Sequence, residues 1–180
     1  CNAIGNHIGV WEFVYKRDLM KNNLTFYYQH IFEDTSGIRF ANKYDGLWGL
    51  EIINSETKNI FLFEYLETTN QNIAPPYVNE SYYNHWDYPY GWSFKGDVIG
   101  NPHINSLNVI PVSVVHVGSI ININPILSGQ FLLSRKINKK DDLNFLINLS
   151  RKFDNLSAGI LLFSKDGSVG IGLESSWELK

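Results

Sequence analysis

The chain has 180 residues, enough for one domain with a sizeable core, yet only 18% are charged, against roughly 25% in typical soluble domains. The net charge is −3, and Lys139-Lys140 is answered at once by Asp141-Asp142, which excludes a nucleic-acid surface. No run approaches the roughly 18 apolar residues of a transmembrane helix, so any membrane crossing must be made by closed sheets of strands.

Apolar and polar residues alternate with a period of two along much of the chain, which predicts strands with one oily and one wet side. Trp11, Phe13 and Tyr15 against Glu12 and Lys16 predict a strand over 8–17. Strands over 24–33, 46–53, 60–69 and 109–123 follow. Over 127–137, Phe131, Leu133 and Ile137 oppose Ser134 and Lys136, with Arg135 interrupting the oily side. Over 142–153, Leu143, Phe145, Ile147, Leu149 and Phe153 oppose Asn144, Asn148, Ser150 and Lys152. A strand over 156–164 precedes the clearest alternation, 168–179, where Val169, Ile171, Leu173, Trp177 and Leu179 oppose Ser168, Gly170, Gly172, Glu174, Ser176 and Glu178.

The expectation is therefore an all-β chain, about nine antiparallel strands of a transmembrane β-barrel. Most strands approach the 9–11 residues that cross a bilayer at a tilt, whereas soluble sandwiches use about 5–6. Short turns at 18–23, 54–59, 124–126 and 154–155 lie on one side. The other side carries longer loops at 34–45 and 70–108. With the long side outside the cell, the first strand runs inward and the chain begins outside. Bacterial barrels have an even strand number, so nine strands imply a missing N-terminal half. No signal peptide is present, which implies a mature, trimmed or incomplete sequence.

The only cysteine, Cys1, excludes an intrachain disulfide and a Cys-rich zinc site. It could be the lipidated first residue of a lipoprotein or an N-terminal nucleophile, but no partner for catalysis stands near it in sequence. Histidines at 7, 30, 85, 103 and 116 lack metal-site spacing, and there is no nucleophile elbow or phosphate loop. No cofactor, metal site or catalytic residue is expected.

Residues 72–105 break the alternation with Pro75, Pro76, Pro89, Pro102 and several glycines. A loop of this length is more often functional than idle. Tyr82, Tyr83, Trp86, Tyr88 and Trp92 offer flat faces suited to sugar rings, and Asn84 and Asn101 offer bonds to hydroxyls. The competing expectation is that these rings pack the loop onto itself or join an interfacial girdle. Glu33, Asp34 and Arg39 are expected to structure the 34–45 loop through an ion pair, with Trp48 beside them.

Several stretches resemble the Wzi-like capsule assembly family of outer-membrane barrels, in the form common in Bacteroidota. They are Asn6-His7-Ile8-Gly9, Phe32 to Phe40, Asp45-Gly46-Leu47-Trp48-Gly49, Tyr82-Tyr83-Asn84, Gly91 to Pro102, and His116-Val117-Gly118. The specific part covers roughly 6–118. The resemblance implies a large barrel of about 18 strands. It implies residence in the outer membrane of a Gram-negative bacterium, among its lipids, and a non-catalytic role in holding capsular or other surface polysaccharide. Asp97 and the ending Trp177-Glu178-Leu179-Lys180 depart from the family pattern. A porin-like channel, or a soluble β-sandwich lectin or lipoprotein anchored through Cys1, are the alternatives.

Overall fold

A computed structural model of the chain describes residues 8–32, 38, 40, 42–70, 93–94, 97–98, 103, 111–137, 142–165 and 167–178. Nine long strands form one sheet: β1 (Gly9–Leu19), β2 (Asn22–Phe32), β3 (Gly46–Asn54), β4 (Ile60–Glu67), β7 (Ser113–Asn124), β8 (Leu127–Lys136), β9 (Leu143–Phe153), β10 (Leu156–Lys165) and β11 (Ser168–Trp177). Two two-residue strands, β5 (Ser93–Phe94) and β6 (Asp97–Val98), lie between β4 and β7 in sequence. Apart from that pair the sheet follows chain order, with β1 and β11 at its edges. The fold is all-β and the sheet is antiparallel and open. The nine predicted strands are all present, within a few residues of their expected ends.

The chain divides into two compact units. The first comprises Cys1–Phe13, Tyr27–Trp48 and Leu66–Val114; the second comprises Val14–Phe26, Gly49–Tyr65 and Val115–Lys180.

In the second unit the register fixes which residues share a side. Leu149, Ile160 and Leu173 are cross-strand neighbours, as are Ile147, Leu162 and Ile171. Phe131 and Leu133 of β8 continue these rows beside Ile147 and Phe145. On the other side stand Gln130 beside Asn148 and Ser128 beside Ser150, with a 2.9 Å contact between the two serine hydroxyls. Gly170 lies there beneath the Phe163 ring, where a Cβ would come within 2.5 Å of the ring.

Burial is inverted relative to a soluble domain. Among the described residues only Leu66, Val112 and Val114 are buried apolar residues, whereas eight polar or charged residues are buried. Ile171 is 77% exposed and Leu173 85%. Trp11, Phe13, Tyr15, Ile147, Leu149 and Trp177 are exposed too. Phe145, on the same side of β9 as Ile147 and Leu149, is half-buried. It stands between Leu133 and Ser164 in the register. A soluble sandwich would bury these rows against a second sheet.

The two-residue pair β5–β6 was not legible as strand. Ser93 pairs with Val98 and Phe94 with Asp97.

Candidate functional site

The sites proposed from sequence fall mostly outside the described residues. Tyr82, Tyr83, Asn84, Trp86, Tyr88, Trp92 and Asn101, and likewise Glu33, Asp34 and Arg39, are not among them. Trp48 is described. Its ring stacks on Tyr28 at 4.1 Å between centroids, and its indole N–H reaches Tyr44 O at 3.4 Å. It therefore links β3 to β2 and to the end of the 34–45 loop.

Around Tyr28 the first unit builds a polar knot. Tyr28 Oη lies 2.7 Å from Lys43 O and 2.9 Å from Asp45 O. His30 Nδ1 lies 3.0 Å from both Tyr28 Oη and Asp45 O. A carbonyl only accepts, and tyrosine has one proton to give. The set is satisfied when His30 Nδ1–H donates to Asp45 O and Tyr28 donates to Lys43 O. His30 is fully buried, with the Phe40 ring 4.7 Å away and stacked. Phe40 also approaches Trp11 and Phe13, so the loop ending at Asp45 is held on an aromatic shelf.

Gly46 permits this arrangement. Its φ of +143° is a region that side-chain-bearing residues rarely adopt, and a Cβ there would run into the Gln29 carbonyl. The chain can thus turn from the knot directly into β3.

Asp45 carries the knot to a second loop. Its Oδ1 accepts from Asn70 N at 3.0 Å and from Asn70 Nδ2 at 3.2 Å. Asn70 opens the 70–108 loop. Just outside the loop's two ends, Thr68 and Val112 are bonded three ways: Thr68 N to Val112 O at 3.0 Å, Thr68 Oγ1 to Val112 O at 2.9 Å, and Val112 N to Thr68 Oγ1 at 2.8 Å. Ser113 Oγ lies 3.0 Å from each oxygen of the buried Glu67, whose Oε1 also accepts from Thr69 N. The base of the long loop is therefore tied shut by buried bonds. Val98, from the hairpin within the loop, packs on the cluster of Leu66, Val112 and Val114.

Sequence reasoning missed His30, Tyr28, Glu67, Thr68 and Asn70. A signal existed: Glu67-Thr68-Thr69-Asn70 is a polar run where alternation along β4 should still supply apolar residues. His116, quoted in the resemblance, lies in the second unit with Nδ1 2.6 Å from Ser134 Oγ. Among the described residues no group of His, Cys, Asp or Glu is placed to hold a metal ion. No helix among them is long and apolar enough to cross a membrane, which says nothing of a β-barrel.

The model of the family "Capsule assembly protein Wzi" matches residues 1–117. No curated protein and no solved structure matches the chain. The family match ends inside β7, yet β8 to β11 continue the same sheet, so the fold extends past the matched part. The open antiparallel sheet agrees with the transmembrane barrel of that family, which is not known as enzymatic. The chain belongs to the Wzi capsule assembly protein family, and its role is a capsule-related one at the outer membrane.

Proposed function

We propose that the chain is the C-terminal part of a larger outer-membrane barrel whose 70–108 loop meets capsular polysaccharide at the cell surface, without catalysis. The observation that carries this reading is the tied base of that loop. A mere connector needs no such base. Here buried bonds from Glu67, Thr68 and Asp45 hold both ends, and Val98 anchors the middle. A loop held in this way can present Tyr82, Tyr83, Trp86, Tyr88 and Trp92 as stacking faces, with Asn84 and Asn101 bonding hydroxyls. Preorganisation of this kind removes part of the ordering entropy that binding would otherwise cost.

Strand parity supports the larger barrel. In an antiparallel sheet of nine strands in this order, β1 and β11 run the same way. All-antiparallel closure then takes an odd number of further strands, which the N-terminal half would supply.

Alanine at Trp86 and Trp92 is expected to weaken capsule retention on cells while the protein still reaches the outer membrane. Deleting 78–100 is expected to abolish retention. Unchanged retention and glycan binding after that deletion, with normal insertion, would leave a channel as the better account.

A further inference from the structure

The arginines and lysines of the strands are sorted by side. In β1, Arg17 follows Trp11, Phe13 and Tyr15 on the exposed aromatic side, while Lys16 stands on the side of Glu12. In β8, Arg135 shares its side with Phe131 and Leu133, while Lys136 shares its side with Ser134. In β9, Arg151 shares its side with Ile147, Leu149 and Phe153, while Lys152 stands beside Ser150 and Asn148. Lys165 of β10 lies on that polar side as well, with Glu174 of β11.

All three of these arginines belong to the second unit, are exposed, and form no ion pair with a described residue. They occupy strand ends. Arg17 and Arg151 stand near the short turns, where the Arg151 guanidinium lies 5.0 Å from the Phe153 ring. Arg135 stands near the opposite end, beside Leu143.

The spacing is that of a bilayer. Arg135 and Leu143 share a row, and Arg151 lies eight residues further along β9. At ~3.4 Å per residue and a tilt of ~40°, the two rows differ by about 20 Å in depth. Side chains that reach outward from both rows widen this toward the ~25 Å apolar band of outer-membrane strands. The rows between carry Phe145, Ile147, Leu149, Ile160, Leu162, Ile171 and Leu173, with no charge.

We infer that Arg17 and Arg151 at one rim, and Arg135 at the other, are contact sites for the phosphate groups of membrane lipids. The inference rests on the barrel reading. The chemistry favours arginine over lysine: its planar fork bonds a phosphate with two parallel N–H groups and is weakly hydrated, so it tolerates an apolar setting. Lysine, a hydrated point charge, is kept on the wet side. The phosphate layer of lipid is the partner that offers anions at two depths about a bilayer apart.

The test uses the full-length protein inserted in vesicles of two compositions, phosphatidylglycerol with phosphatidylcholine, and the phosphate-free digalactosyldiacylglycerol. Insertion is read by heat-modifiable migration, and bound phosphatidylglycerol is counted on protein extracted in mild detergent. Arg151→Ala and Arg135→Ala should each reduce retained phosphatidylglycerol about fivefold, from the ~1 kcal/mol that a basic residue contributes near an anionic surface. They should lower the unfolding midpoint in phospholipid and leave it unchanged in galactolipid. Arg151→Lys should recover only part of the retention, and Lys152→Ala should leave the amount of retained phosphatidylglycerol unchanged. Equal losses in both lipids, or full recovery with lysine, would overturn the inference by making the role structural or purely charge-based. Failure of the unsubstituted protein to insert in either vesicle would instead sink the barrel reading.

Discussion

The two units of this chain solve opposite problems. The second unit exposes apolar rows on one side of its strands and carries polar residues on the other, as at Asn148, which is buried with its Nδ2 donating to Glu174 at 3.1 Å. The first unit has a small cluster of buried apolar residues, Leu66, Val112 and Val114, alongside buried polar groups that tie loops down. Regular pairing suffices where a strand only has to cross lipid, since every backbone group is satisfied within the sheet. Where the chain leaves the sheet, its backbone groups lose that ladder and side chains must replace it. The difference teaches where sequence variation is tolerated: along the strands the pattern matters more than identity, at the loop base identity matters more than pattern.

The largest break in this contrast should come from charge on the wrong side of the second unit. Ile147→Arg places a cation midway between the Leu143 and Arg151 rows and should destabilise by about 2–4 kcal/mol, while Leu161→Arg, on the polar side, should cost little. Urea unfolding of the vesicle-inserted protein measures both. Equal penalties would mean that both sides of the sheet meet the same medium.

A smaller effect is expected at the loop base. Asp45→Ala removes the acceptor of two bonds from Asn70 and should cost about 1.5–3 kcal/mol, the range for bonds to charged groups. Asp45→Asn keeps a side-chain oxygen and should recover part of it. The sharper readout is limited proteolysis within 71–110, which should accelerate in Asp45→Ala and much less in Asp45→Asn. A proteolysis rate unchanged by alanine would show that the knot does not hold the loop.

The strands were legible because a sheet with an exposed apolar side and a more polar opposite side imposes a period of two, and a register slip would reverse every side chain. The sequence of β11 alone, with Ile171 and Leu173 against Gly170, Gly172 and Glu174, carries the whole rule. The loop base was not legible, because its bonds join residues far apart in the chain. Thr68 meets Val112 and Asp45 meets Asn70; the polar run Glu67 to Asn70 marks one member of each pair, and nothing local marks its partner. Trp48 contacts Tyr44 and Tyr28. His30 was set aside with the other histidines because its partner, the Asp45 carbonyl, is a backbone atom that every residue has. The arginine sorting was visible as an interruption at Arg135, but its meaning required the depth of the rows.

The smallest expected effect tests what fills the space on the polar side. Lys152 Nζ lies 3.1 and 3.4 Å from the two oxygens of Glu178, and both side chains remain exposed, at 49% and 68%. If that side faces water, the pair is a surface ion pair: the attraction is weak in high dielectric, and holding two long side chains costs rotamer entropy. Lys152→Ala should then change stability by about 0–1 kcal/mol, and less as salt rises. If the polar side were instead packed against a dry interior, removing the lysine would leave Glu178 as a buried unpaired charge. That loss runs to about 3–5 kcal/mol and responds little to salt. Unfolding of Lys152→Ala at low and high ionic strength separates the two cases. A small, salt-dependent loss is expected here, because the side chains of both partners are exposed to solvent.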